Sequence, residues 1–274
     1  MVSQEQRRRQ LAREKFLRQQ QRRTSARRKA RMRNSVIASV LGVVVIGSVA
    51  LYTTGVLKND DDKKTNASAD VTPSATPSKK APDPCAKPAQ GSVKKLSWKK
   101  EPAMSIDTSA KYTMKLATTC GDIGVALKTS AAPHTVNSFN FLAGKGYFDH
   151  TKCHRLTTNG IYVLQCGDPT GLGSGGPGYT IPDENLKDKS LKGNKYPAGT
   201  VAMANTGQKH TGGSQFFLVY KDSPLPPSYT PFGTIDAAGL KVLDKIAAAG
   251  ESTGAGDGAP NATVVINRAT VAKS

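Results

Sequence analysis

Arg155 stands between a histidine and a leucine in the stretch 153–168, CHRLTTNGIYVLQCGD. A guanidinium is always charged and presents five donors in a rigid fork. Setting one on an apolar strand is costly unless something requires a fixed cation there. The polar turn Thr157, Thr158, Asn159, Gly160 follows, and a second strand returns with Tyr162, Val163 and Gln165. The chemistry open to such a group is electrostatic: a held donor can favour a lone pair or charge that forms only in a transition state. The plain alternative is a hairpin with one exposed arginine.

Three other patterns look like chemistry and fail on context. GLGSGG at 171–176 satisfies GxGxxG, but Pro177 and Gly178 follow, so no helix starts there and a dinucleotide cradle is not expected. His150 and His154 are four apart, with Asp149 and Cys153 beside them. They would share a face only on a helix, and the stretch reads as strand, so no metal is expected. GGSQF lacks the last glycine of a serine-hydrolase elbow and has no evident His/Asp partners. No cofactor is expected either.

The elements that must position Arg155 are mainly strands. Runs with strand character fall at 112–118, 123–128, 152–157, 161–166, 200–204, 215–220, 231–235 and 263–270, most of them separated by Gly, Pro, Asn or Asp. Two segments read as helices. HTVNSFNFLAGKGY follows Pro133, with Val136, Phe139 and Ala143 on one face and Gly144 ending it; GLKVLDKIAAAG has Leu240, Leu243, Ile246 and Ala247 at helical spacing before Gly250. The predicted fold is mainly β: a closed eight-stranded antiparallel barrel with a helix over each open end, in a domain covering 105–272. Closure matters because it leaves no edge strand free to aggregate.

The chain carries net charge +19, unevenly: residues 1–34 hold thirteen Lys/Arg against two Glu, which puts +11 in this tail and +8 in the remainder. The high pI describes a tail, and no specific nucleic-acid partner is expected. Residues 35–57 carry no charge, and about 20 apolar residues suffice to cross the hydrocarbon core. The long segment before the run, and the lack of a small-x-small site after it, favour an uncleaved anchor over a signal peptide. Basic residues before the span, and Asp60, Asp61 and Asp62 after it, put the amino terminus in the cytoplasm and the domain outside. The expectation is a single-pass cell-membrane protein. The tail reads as a topology signal, with anionic lipid or RNA binding as rivals. Residues 58–104 are rich in Lys, Asp, Ser, Thr, Ala and Pro and read as a disordered stalk, Trp98 excepted, which could dock on the domain. Cys85, Cys120, Cys153 and Cys166 all follow the span, where disulfides persist. They allow three pairings; Cys153 with Cys166, on neighbouring strands of the arginine hairpin, is one candidate, and no CxxC supports a redox or zinc role.

Four stretches now come together: PHTVNSFNFLAGKGYFDHTKCHR (133–155), CHRLTTNGIYVLQCGDPTGLGSGGPGY (153–179), GTVAMANTGQKHTGGSQFFLVY (199–220) and SPLPPSYTPFGTI (223–235). The ordered series HR, QxGDPTGxGxGG, MAN, GSQFF, FG resembles the cyclophilins, the peptidyl-prolyl cis/trans isomerases, over nearly all of 111–271. With the anchor, the likeness is to a membrane-anchored bacterial, actinobacterial-like form. The resemblance implies an enzyme that turns X–Pro bonds. That rotation breaks amide resonance across a barrier of about 18–20 kcal/mol. No bond is broken, so no nucleophile, metal or cofactor is required; the twisted amide has to be bound better than either planar form. In the twisted state the prolyl nitrogen pyramidalises and regains a lone pair, which Arg155 can hydrogen-bond. The resemblance further implies that Gln165 holds the arginine and the substrate carbonyl, and that Asn205 grips the peptide through its backbone. Ala204 would line the neighbouring wall. Tyr162, Val163, Phe217 and Leu225 would form the slot for the proline ring, Tyr229 would close one side, and His154 and Gln215 would complete the substrate-binding set. Phe216 reads as core.

The chain also departs from the family pattern. The turn between Arg155 and Gln165 is two residues longer than in well-known members, and the loop 205–214 one residue longer. Tyr162 stands where phenylalanine is usual, Val163 where methionine is usual, and Leu225 where cyclosporin-sensitive members carry tryptophan. Leucine has no indole N–H, so weak cyclosporin binding is expected. The expected partners are proline-containing polypeptide clients folding after export, met by a monomer. A proline-peptide-binding module or holdase with the same fold and little catalysis is the alternative. A nucleic-acid protein with a passenger domain is a third reading, and it requires tight, salt-sensitive binding by residues 1–34.

Overall fold

The computed structural model describes residues 82–274. The basic tail 1–34, the apolar run 35–57 and the stalk as far as 81 lie outside the described residues, and with them the expectations of a membrane span and a cytoplasmic tail. Among the described residues no helix is long and apolar enough to cross a membrane.

The elements in order are β1 (Tyr112–Thr118), β2 (Gly121–Leu127), α1 (Pro133–Gly144), β3 (Thr151–Lys152), β4 (Arg155–Thr157), β5 (Val163–Cys166), β6 (Lys195–Tyr196) and β7 (Thr200–Met203). They continue with β8 (Phe216–Val219), β9 (Ser223–Pro224), β10 (Pro231–Ile235), α2 (Ala237–Ala248), β11 (Asp257–Gly258) and β12 (Val265–Lys273). Ten strands form one sheet in the order β11-β4-β5-β8-β7-β10-β2-β1-β12-β3, and β6 pairs with β9 in a separate ribbon. Every predicted run contains a strand. The expected eight become ten because 152–157 breaks into β3 and β4, and because the connection to β12 adds β11.

That break is what curls the sheet. β3 pairs with β12 and β4 with β5, and between them the Cys153 N–H donates to the Val264 carbonyl and the His154 N–H to the Gln165 carbonyl, each at 3.0 Å. One stretch of chain therefore touches both ends of the strand order.

Along β5, β7 and β8 side chains alternate between two faces, and both faces are apolar. Leu164, Cys166, Val201, Met203, Phe216 and Leu218 enter the main core, where the Phe139 ring of α1 lies 4.5 Å from Phe232 and 5.4 Å from Phe216. Val163, Ala202, Phe217 and Val219 enter a second, smaller cluster with Tyr196. Those strands therefore read as unbroken apolar runs.

α1 begins at Pro133 as predicted and α2 at Ala237, two residues before the predicted start, but α1 has no capping side chain of its own. Glu184 supplies one from a distance, accepting from the His134 and Thr135 N–H groups at 3.0 and 2.9 Å. α2 is capped locally by Asp236, which accepts from the Gly239 N–H at 2.6 Å.

Residues 82–104 correct the expectation of a disordered stalk. They carry no helix or strand, yet they run against the domain as a strap. Cys85 is disulfide-bonded to Cys120, and the Ala86 N–H donates to the Thr119 carbonyl at 2.8 Å. The Trp98 N–H donates to the Pro177 carbonyl at 2.8 Å, while its indole meets Phe141 edge-on at 5.0 Å and Tyr147 at 6.0 Å. Gly178, at φ +89°, permits the approach, since a Cβ there would run into Ser97 and the Trp98 main chain. The segment has too few apolar residues for a core of its own, but here it uses the domain's. The second disulfide joins Cys153 to Cys166, which settles the choice among three pairings.

Candidate active site

Strand pairing places Arg155 opposite Gln165, Gln165 opposite Phe217, and Phe217 opposite Ala202, in one row across β4, β5, β8 and β7. The arginine thus stands at the margin of the second apolar cluster, half-buried. Two groups fix its guanidinium. Asp257 on β11 accepts from Nε and from Nη2, both at 2.7 Å, in a bidentate fork. The Gln165 Oε1 accepts from Nη1 at 3.3 Å. Of the five N–H donors, one on Nη1 and one on Nη2 remain for a ligand. The network continues from the Gln165 Nε2 to the Gln215 Oε1 at 2.9 Å, and from the Gln215 Nε2 to the Gly175 carbonyl at 2.9 Å. The hydrogen bonds from Arg155 hold the Asp257 carboxyl below the usual carboxylate range, and the same contact raises the arginine's pKa further.

Beside the guanidinium is a slot of about 110 Å³, walled by Ile161, Val163, Phe217, Leu225 and Tyr229, with Arg155, Gln165, Ala204 and Asn205 completing the lining. Phe217 and Tyr229 meet edge to face at 5.4 Å. Beneath them Tyr196 is buried; its hydroxyl donates to the Tyr229 carbonyl at 2.7 Å and accepts from the Tyr229 N–H at 3.1 Å. Burial pushes the Tyr196 phenol up to about 12, so it remains a donor at neutral pH. The Asn205 side chain is occupied internally, donating to the Ser228 carbonyl at 2.8 Å and accepting from the Gly207 N–H at 3.0 Å. What Asn205 can offer a ligand is therefore its main chain.

Most of the residues singled out in the sequence surround this slot. Gln215 lines the adjoining cleft and reaches the slot through Gln165. Two expected residues are elsewhere. The Tyr162 ring packs on Tyr220 at 5.9 Å with the Lys221 Nζ 4.6 Å above it. Neighbours along an extended chain point to opposite sides, and Ile161 fills the place expected for Tyr162. His154 lines neither cavity: its half-buried ring lies beside Gly173 with both nitrogens unpartnered, and burial pushes its pKa down. Asp257 was not foreseen. It sits among glycines and small residues 102 positions from Arg155, and no local motif marks it.

Past Gln165, Ala204 and Asn205 the slot opens into a larger cleft of about 920 Å³. One wall is the glycine loop 173–178, another comes from the segment 204–215, and the strap adds Lys99, Lys100 and Glu101. Asp168 shapes the glycine loop. Its buried carboxylate accepts from the Thr170 N–H at 2.7 Å, the Thr170 hydroxyl at 2.8 Å and the Gly175 N–H at 3.1 Å. Burial pushes its pKa up, but the hydrogen bonds from Gly175 and Thr170 outweigh burial and keep it ionised. A Cβ at Gly175 would run into this carboxylate. The GDPTG motif is thus a loop staple rather than an acid–base group.

Comparison with known proteins agrees with this geometry. The family model described as cyclophilin type peptidyl-prolyl cis-trans isomerase/CLD matches residues 113–271. "Probable peptidyl-prolyl cis-trans isomerase B" of Mycobacterium leprae is 51% identical over 165 residues, which are 57% of this chain and 56% of that protein. The protein of the same name from Mycobacterium tuberculosis is 50% identical over 165 residues, 57% of this chain and 53% of that one. The chain spans about half the length of these curated relatives. Among solved structures, a cyclophilin type peptidyl-prolyl cis-trans isomerase of Cryptosporidium parvum superposes with a TM-score of 0.50 at 26% identity, covering 60% of this chain and 99% of that one. The chain belongs to the cyclophilin type peptidyl-prolyl cis-trans isomerase family.

Proposed function

We propose that the domain catalyses cis/trans rotation about X–Pro bonds in polypeptides. One observation carries the reading: a guanidinium held by Asp257 and Gln165, with two donors left over, at the rim of an apolar slot sized for a single small ring. The prolyl ring enters the slot against Phe217 and Leu225, and the flanking peptide lies along the Asn205 main chain. As the amide twists, its nitrogen gains a lone pair, and a free Arg155 N–H donates to it. The planar forms offer no such acceptor, so the contact exists only near the top of the barrier. No proton leaves and no bond breaks.

The test adds the full-length chain to a refolding reaction limited by proline isomerisation, which takes tens to hundreds of seconds unaided. Acceleration is expected, and Arg155→Ala should abolish it while leaving proline-peptide affinity nearly intact. No acceleration by wild type would leave the proline-peptide-binding module or holdase as the reading.

We further read residues 35–57 as a membrane anchor with the domain on the outer side, in a bacterial, actinobacterial-like setting, where the two disulfides would persist. Clients are then exported or surface chains. Protease added to intact cells should remove the domain and leave a short basic fragment; a protected domain overturns the topology. We read the curled ten-stranded sheet as closing into a barrel, and the chain as a monomer, the latter tested by sedimentation. With Leu225 in the slot, cyclosporin binds weakly.

A further inference from the structure

The larger cleft gives this isomerase a charge preference that its slot lacks. We infer that the strap selects clients carrying an Asp or Glu within a few residues of the proline, held in the cleft by Lys99 and Lys100. This inference rests on the isomerase reading and specifies its substrate class.

Three observations carry it. The cleft shares Gln165, Ala204 and Asn205 with the slot, so residues on one side of a seated proline come within its reach. Its volume of about 920 Å³ corresponds to roughly 12 Å across, the length of three to four extended residues. Second, the basic wall is fixed in place. Trp98, next to Lys99, is tied to Pro177 at 2.8 Å and packed on Phe141, and Glu101 on the other side is paired with the His134 Nδ1 at 2.6 Å. Third, the local charge balance is positive. Lys99 and Lys100 are exposed, and among the described residues neither has a carboxylate within ion-pair distance. The one acid in the lining, Glu101, is already engaged by His134. Asp168 lies beneath the glycine loop, fully buried and enclosed by its own donors. A client carboxylate entering the cleft therefore meets two unpaired cations and no competing free acid in the wall.

The experiment measures kcat/KM and affinity of the full chain for peptides differing at one position near the proline, with Asp, Asn or Lys there, at low and high salt. The Asp peptide should exceed the Asn peptide about three- to tenfold at low salt, because each exposed pair contributes a few-fold at most, and the ratio should shrink as salt screens it. In the double variant Lys99→Gln, Lys100→Gln the ratio should fall to about one. In Lys99→Glu, Lys100→Glu it should invert in favour of the Lys peptide, which a merely damaged protein would not do. Equal rates for Asp and Asn peptides in wild type, or an Asp preference that survives both variants, overturns the inference. If no peptide is turned over, the isomerase reading fails, and the affinity ratio still decides whether the strap prefers acids.

Discussion

The slot and the cleft adjoin, yet they are built by opposite means. The slot rests on paired strands: Val163 and Phe217 are set by the register of β5 and β8, and its one cation is locked by Asp257 and Gln165. The cleft is walled by a glycine loop and by a strap without helix or strand, and among the described residues neither of its cations, Lys99 and Lys100, has a carboxylate within ion-pair distance. A ladder of hydrogen bonds fixes an atom to fractions of an ångström, which a transition state demands. Selection by charge acts over several ångströms and tolerates a looser frame. The division of labour follows from how far each force reaches.

The largest effect should come from breaking the slot's one charge. Arg155→Ala is expected to lower kcat/KM by about a hundredfold or more, as loss of a single preorganised donor does elsewhere. Arg155→Lys should recover only part of this, since an ammonium has three donors and no planar fork, too few for the bidentate bond to Asp257 together with bonds to Gln165 and a ligand. A coupled isomerase assay on a neutral proline peptide reads both.

Asp257 tests whether the lock matters as much as the key. Both partners are more than a third exposed, so the pair is worth at most about 1 kcal/mol, and Asp257→Asn should cost about fivefold, in kcat rather than KM. Its pH dependence has a definite sign. The Asp257 pKa is lowered by Arg155, so the pair is intact above the ordinary Asp value of 3.8 and is lost only as pH falls through the lower folded value. Activity should stay flat through neutral pH on this account. A faster Asp257→Asn enzyme would mean that the carboxylate restrains the arginine instead of aiming it.

What could be read from the chain follows the range of the interactions. Strand runs, helix faces and turns are written in residues two to four apart, and Arg155 opposite Gln165 follows from one hairpin, whereas Gln165 opposite Phe217 joins β5 to β8 across 52 positions. Asp257, Glu184 at the start of α1, and the strap's grip through Cys85 and Trp98 are contacts across long separations, which no local pattern announces. Tyr162 shows a different failure. The expectation put the consecutive residues Tyr162 and Val163 in one slot, but neighbours along an extended chain face opposite sides, so Ile161 and Val163 line it and the Tyr162 ring packs on Tyr220 instead. The strap reads as disordered because its composition cannot build a core, and composition says nothing of a core borrowed from elsewhere.

Freeing the strap should leave the slot's chemistry nearly unchanged and cost stability instead. The Cys85–Cys120 bridge spans 35 positions, a closure worth up to about 4 kcal/mol by chain entropy. The double variant Cys85→Ser, Cys120→Ser should lower Tm clearly, yet change kcat/KM on a neutral peptide less than twofold. A loss comparable to that of Arg155→Ala would mean that the two regions are not separable.

The smallest effect is a pH dependence of the strap alone, opposite in sign to that of Asp257. His134 has its pKa raised by the hydrogen bond to Glu101, with the Glu184 carboxylate also facing it. A folded value above the ordinary 6.5 means that the tie is fully present below 6.5 and is lost as pH rises through the raised value. The His134 side chain is nearly half exposed, so the tie is worth less than about 1 kcal/mol, and Trp98 and the disulfide still hold the strap. Hydrogen exchange across 97–104 should therefore quicken by no more than a few-fold between pH 6 and pH 9, beyond the intrinsic rate change. Glu101→Gln should remove that step while leaving exchange in β5 and β8 untouched. If the step survives the substitution, it belongs to another group, and the strap is held by its aromatic and covalent contacts alone.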